Sequence, residues 1–208
     1  MIPFLIVAVV AYLIGSLPAG YILGRIAGVD IRKVGSGNVG ATNVTRVLGK
    51  RFGYPVFLVD FLKGFVAVFV SIAIAGTDVS NPTSADISGA LGGVFSVLGH
   101  SYPVWLRFKG GKGVATSLGV LFAINWLAAL VMSIVWVVVF KVSRYVSLAS
   151  IAAAIALPFA MGAMLFLNQL RSAIPLYFSV LLTAIVVIRH KSNFSRLLNG
   201  TEPRFARK

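Results

Sequence analysis

The stretch Val114–Phe140, VATSLGVLFAINWLAALVMSIVWVVVF, is one long apolar run, and its reading decides how the chain is threaded. As a single membrane-crossing helix it would leave Lys141, Arg144 and the whole basic tail, with Arg189, Lys191, Arg196, Arg204, Arg207 and Lys208, outside the cell. Short loops rich in Lys and Arg stay on the cytoplasmic side of a membrane. The run is therefore read as a hairpin turning near Asn125-Trp126, where a polar residue adjoins an interfacial aromatic. Its first arm, Val114–Ile124, is then too short to cross alone, so neighbouring helices must bury its ends.

Working outward, the other apolar blocks are Ile2–Leu23, Tyr54–Ala75, Ile87–Leu106, Val146–Leu167 and Ala173–Ile188. Arg25, Arg32, Lys33, Arg46, Lys50 and Arg51 lie between the first two and put that loop inside. Thr77–Asp86 carries Asp78 and Asp86 but neither Lys nor Arg, and is read as outside. Arg107, Lys109 and Lys112 follow the third block, inside again. The expected fold is all-α: one polytopic transmembrane helical bundle over residues 1–208, with about seven spans, the N-terminus outside and the C-terminus cytoplasmic. Only Lys63 and Arg171 stand away from the cytoplasmic flanks. The N-terminal run follows no positive n-region and is too long for a signal peptide, so it is read as a retained span.

Composition narrows the function. The chain is 58% hydrophobic and 12% charged, roughly half the charged fraction of a soluble domain. With no cysteine there is neither a disulfide nor a thiolate metal site. Five acidic residues against 19 basic ones make a carboxylate-lined metal cage a poor reading. The net charge of +14 does not indicate nucleic acid, because the basic residues flank apolar segments, where topology accounts for them.

Three stretches carry chemistry, and all fall on the expected cytoplasmic face. The first is Gly35–Arg46, GSGNVGATNVTR. Its glycines allow tight turns that aim successive N–H groups at an anion. Ser36, Asn38, Thr42 and Asn43 add neutral donors, and Arg46 adds a planar fork suited to phosphate. The formal Gly-x-Gly-x-x-Gly spacing lacks the strand and βαβ context of a dinucleotide site. The second, Gly99–Thr116, GHSYPVWLRFKGGKGVAT, sets Lys109 and Lys112 around a glycine pair just before an expected helix start, where amides and the helix dipole favour an anion. His100 within it either holds a turn or takes part directly. The third, Arg189–Glu202, RHKSNFSRLLNGTE, starts where the last span ends. It reads either as an acid–base site centred on His190 or as a basic tail on anionic lipid. Asp60 and Lys63, three apart on the second span, form either a structural ion pair or part of a site. Ser147 sits at the cytoplasmic end of a span and can face the same region.

In this order, and with Asp60–Gly64 (DFLKG), these stretches resemble the bacterial acyl-phosphate:glycerol-3-phosphate acyltransferase family over nearly the whole chain. The resemblance implies transfer of a fatty acyl group from acyl phosphate to the first hydroxyl of glycerol 3-phosphate, in the bacterial inner membrane. The products would be lysophosphatidic acid and inorganic phosphate. It implies that Ser36, Arg46 and Lys109 hold the glycerol 3-phosphate phosphate, with Thr42 and Asn43 completing the loop. Lys112, Gly111 and nearby amides would hold the acyl phosphate together with Ser147, while His190 and Asn193 orient the attacking hydroxyl. No cofactor, nucleic acid or obligatory protein partner is expected; membrane lipids are. Neither His100 nor His190 begins the His-x4-Asp pattern of acyltransferases that use acyl-CoA or acyl carrier protein, which favours a donor already activated as a phosphate. The rival readings are a transporter of a phosphorylated solute and a scaffold for anionic lipid.

Overall fold

The computed structural model of the protein describes residues 2–76 and 82–205. Residues 77–81 of the expected outside loop, Asp78 among them, lie outside the described residues, as do Arg207 and Lys208 of the tail. Among the described residues every regular element is helical. The chain divides into two compact units, Met1–Ile124 and Asn125–Lys208.

In the first unit, the span expected over Ile2–Leu23 is built from two helices, α1 (Ile2–Gly15) and α2 (Ala19–Ile26). Pro18 supplies no backbone N–H, and the helical ladder is interrupted before it. A 3-10 turn at Ile31–Lys33 leads through the first glycine-rich stretch to α3 (Ala41–Leu48) and α4 (Lys50–Ala75). Then come α5 (Pro82–Ser101), a 3-10 turn at Val104–Leu106 and α6 (Val114–Ile124). The third expected span thus ends at Ser101, and Val104–Leu106 belongs to the loop. Helix α4 is the hub, packing on α1, α3, α5 and α6. Its approach to α6 is close because Gly119 lies against the carbonyl of Phe61 and Gly64 against that of Thr116, where a methyl group would collide. Below the loops, Ala19, Ile31, Val39, Val44, Val56 and Leu106 form a small apolar core of their own.

The second unit contains α7 (Trp126–Ser143), α8 (Val146–Phe166), α9 (Ile174–Arg189) and α10 (Lys191–Leu198). The long apolar run does break where the sequence indicated. Asn125 lies between α6 and α7, and its side chain caps α7 by accepting from the Ala128 amide at 2.9 Å. Helix α8 packs against α7 and α9, and its Ala149, Ala153, Ala154, Leu157 and Met161 are buried. Inside α8, Pro158 has no N–H to give the carbonyl of Ala154, four residues earlier. The Thr183 hydroxyl of α9 meets that carbonyl at 2.6 Å.

Outward-facing side chains are apolar: Phe69 is 50% exposed, Val138 55% and Phe159 74%. Such surface is stable only against lipid or another protein. Among the described residues, four helical segments are long and apolar enough to cross a membrane: Ile2–Ile26 taken across its break, α4, α7 and α8. Helices α9 and α10, bent by 59° at His190, make a fifth if counted as one span. The protein is an integral, multi-pass membrane protein.

Thr183→Val removes the hydroxyl without changing shape and leaves the Ala154 carbonyl without that donor. The protein should lose about 1–2 kcal/mol of stability, read as a lower melting temperature in detergent, while Thr183→Ser should keep most of it.

Candidate active site

The first stretch is organised from inside. Asp30 caps the 3-10 turn through the Arg32 amide and holds the Arg32 guanidinium at 2.9 and 2.8 Å. That bidentate pairing holds the Asp30 carboxyl well below the usual carboxylate range. The stretch then turns through two left-handed glycines, Gly35 (φ 60°) and Gly37 (φ 69°). Asn43, 1% exposed, braces it: Nδ2 donates to the carbonyls of Ile31 and Val34, and Oδ1 accepts from the Ser36 amide at 2.8 Å. Asn38 Oδ1 accepts from the Gly40 amide. The Gly37 amide donates to Val34.

The amides of Ser36, Gly37 and Gly40 are turned into the loop, so these three take no part in the anion nest the glycine spacing suggested. On its outer side Ser36 and Arg46 are exposed and Thr42 is half-buried. Asn43 acts on the loop, behind the residues that face solvent.

The second stretch folds back on the end of α5. Arg107 (φ 53°) and Phe108 (φ 61°) take left-handed backbone, and the chain reaches Gly113 (φ 81°) before α6 starts at Val114, as the sequence indicated. The Gly110 and Gly111 amides donate to the carbonyls of Ser101 and His100. These two amides fix the loop; of the two lysines in it, Lys109 is exposed and Lys112 half-buried.

The second unit brings its three sequence-identified residues to one end of its helices. Ser147 lies in the first turn of α8 and is 4% exposed. His190, 2% exposed, stands at the bend between α9 and α10, and its Nδ1 donates to the Val186 carbonyl at 2.8 Å. The proton of the neutral ring is thereby placed on Nδ1 and the lone pair on Nε2. Asn193, 4% exposed, is on α10.

Glu202 gathers this end together. One carboxylate oxygen accepts from Ser147 Oγ at 2.6 Å and Asn193 Nδ2 at 2.7 Å; the other accepts from Arg196 Nε at 2.8 Å. Burial raises the carboxyl, but the hydroxyl, amide and guanidinium donors together outweigh it and hold Glu202 below its ordinary range. The sequence reading reached Glu202 as the end of the third stretch but gave it no role. The available signal was its rarity, an acid closing a basic segment in a chain with five. The tail beyond is also held: the Phe205 amide donates to the Arg144 carbonyl, and Arg204 lies 4.8 Å over the Tyr145 ring.

A carboxyl lowered on folding stabilises above its unfolded value and loses that contribution as pH falls through the folded one. Glu202→Gln should therefore cost about 1.5–3 kcal/mol at pH 7. The gap from wild type should close as pH drops below about 4, the unfolded glutamate range. Melting temperatures of both proteins across pH 3–8 would check this.

Residues 5–200 match the family described as glycerol-3-phosphate acyltransferase. A glycerol-3-phosphate acyltransferase of Aquifex aeolicus is 46% identical over 97% of this chain and 98% of its own length. One from Staphylococcus aureus is 41% identical over 96% of each. Two crystal structures of PlsY (YgiH), an integral membrane glycerol 3-phosphate acyltransferase, are similar throughout. The glycerol 3-phosphate form gives a TM-score of 0.86 at 43% identity, covering 98% of this chain and 96% of that one. The lysophosphatidic acid form gives 0.84 at 42%, covering 98% and 95%. With the family matched across almost its full length, this chain belongs to the glycerol-3-phosphate acyltransferases.

Proposed function

We propose that the acyl donor is acyl phosphate, and that the protein works as one unit over residues 1–208 at the cytoplasmic face of the bacterial inner membrane. The observation that carries this reading is the buried set His190, Asn193, Ser147 and Glu202 at one end of the second unit's helices. In a chain this apolar, such a set is costly unless it has work to do. The missing His-x4-Asp pattern and the surplus of basic residues around the glycine-rich stretches fit a donor and an acceptor that both bear phosphate.

Ser36, Arg46 and Lys109 bind the phosphate of glycerol 3-phosphate, with Asn38, Thr42 and Asn43 shaping that loop. Lys112 meets the phosphate of the donor, Gly111 shapes its loop, and Ser147 assists. The glycerol hydroxyl attacks the acyl carbonyl, the new C–O ester bond forms and the bond from acyl carbon to phosphate oxygen breaks. The hydroxyl proton passes to the departing phosphate, either through His190 Nε2 or directly to the acyl phosphate's own oxygen; His190 and Asn193 orient the hydroxyl. Products are lysophosphatidic acid and inorganic phosphate, so no cofactor or second protein is needed to balance the reaction.

Purified protein given long-chain acyl phosphate and glycerol 3-phosphate should release phosphate and form lysophosphatidic acid, and should not do so with acyl-CoA. His190→Ala should lower kcat by about a hundred- to ten-thousand-fold. Arg46→Lys keeps the charge but loses the fork, and should raise KM for glycerol 3-phosphate at least about tenfold. Equal use of acyl-CoA would overturn the donor assignment.

The topology we propose has seven spans, with the N-terminus outside and the C-terminus cytoplasmic. The absence of native cysteine makes the test clean. Trp126→Cys, at an exposed position, should react with an impermeant maleimide added outside intact spheroplasts. Reaction only after permeabilisation would refute the hairpin.

A further inference from the structure

The Asp60, Lys63 and His100 cluster has no part in the reaction as described, yet it is the most deeply buried group of charges in the first unit. Lys63 Nζ lies 2.8 Å from Asp60 Oδ1 and donates to the Leu17 carbonyl at 2.9 Å. His100 Nδ1 lies 3.4 Å from the same carboxylate oxygen. All three residues are at least 94% buried. Lys63 already balances the charge of Asp60, so the imidazole is not needed for neutrality.

What the imidazole does is touch the second loop. A methyl group built on Gly111 would run into Nε2, Cε1 and Cδ2 of His100, and into nothing else as near. Gly111 is not among the glycines with left-handed backbone, whereas Gly113 is. Its lack of a side chain therefore answers to the ring and not to the turn. The Gly111 amide is held by the His100 carbonyl, so backbone and ring of one residue grip the loop immediately before Lys112. The cluster also lines a cavity of about 10 Å³ with Gly20 and Val39, under the first loop, and Pro103, at the start of the second. That is room for about one water. One ion cluster thus forms a floor common to both loops.

We propose that Asp60, Lys63 and His100 form a positioning network: Asp60 and Lys63 fix the His100 ring, and the ring sets the Gly110–Gly113 loop so that Lys112 meets the donor's phosphate. This rests on the acyl-phosphate reading of that loop. Catalytic geometry is sensitive on this scale, since a displacement of about 1 Å can cost on the order of a hundredfold in rate.

The test is a double-mutant cycle on His100 and Gly111, with KM and kcat for both substrates and the melting temperature of every variant. His100→Asn keeps an amide donor where Nδ1 stood and removes the far edge of the ring. It should raise KM for acyl phosphate about tenfold, with KM for glycerol 3-phosphate changed less than about twofold. Gly111→Ala should do the same in wild type and add almost nothing in the His100→Asn background, because the ring it collides with is gone. Lys63→Met, which keeps volume and leaves Asp60 to His100 alone, should also raise KM for acyl phosphate selectively. Additive effects, or losses that follow the melting temperature with KM unchanged, would reduce the cluster to a structural ion pair and overturn the proposal. Wild-type enzyme inactive with acyl phosphate would overturn the donor assignment, and this proposal with it.

Discussion

Inside a bilayer, a backbone carbonyl that loses its helical partner has no water to turn to. This chain answers that constraint with side chains from neighbouring helices. Thr183 reaches the Ala154 carbonyl freed by Pro158. At the interruption around Pro18, Lys63 joins the Ala19 amide on the Leu17 carbonyl. The second case shapes the first unit more deeply. A lysine buried in a helix of an apolar bundle needs a counter-charge, and Asp60, one turn away, supplies it at 2.8 Å. The interruption between α1 and α2, the hub helix α4 and the floor of the loops are thereby tied through one ion pair.

The same logic explains why the glycine-rich stretches look different in three dimensions from their spacing. A loop at a membrane surface must satisfy its own amides and still hold a fixed form. Gly35, Gly37 and Gly113 supply left-handed turns, after which the amides of Ser36, Gly37, Gly110 and Gly111 bond to Asn43, Val34, Ser101 and His100. Rigidity is thus provided by hydrogen bonds of the loop amides, and in the mechanism proposed above recognition falls to Ser36, Arg46, Lys109 and Lys112. Side chains on a loop already fixed lose less entropy on meeting an anion than a loop that must order around it.

Much of this was legible from sequence, and the limits have physical causes. Hydropathy located α4, α8 and α9 to within a few residues, and the Asn-Trp pair located the break before α7. The interruption at Pro18 was missed because Leu17-Pro18-Ala19 is apolar throughout and the pattern runs across it. Asn43 and Asn193 were picked as polar residues in rich motifs. Yet whether an amide faces a ligand or a carbonyl depends on burial, which no local pattern records. Glu202 was hidden for the same reason: its partners Ser147 and Asn193 lie 55 and 9 residues away.

Acid placement links these points. The chain has five acidic residues against 19 basic ones, and three of the acids are each held by a cation: Asp30 by Arg32, Asp60 by Lys63 and Glu202 by Arg196. One acid serves each chemical stretch. Asp30 caps the turn before the first, Asp60 lies beneath the second through His100, and Glu202 closes the third on Ser147 and Asn193. A carboxylate standing open beside Arg46 or Lys112 would compete with phosphate for the same donors. Held in the scaffold and neutralised there, the carboxylates order the loops while the remaining positive charge stays directed at anions. That division accounts for a chain with so few acids carrying three of them within or against its most polar segments.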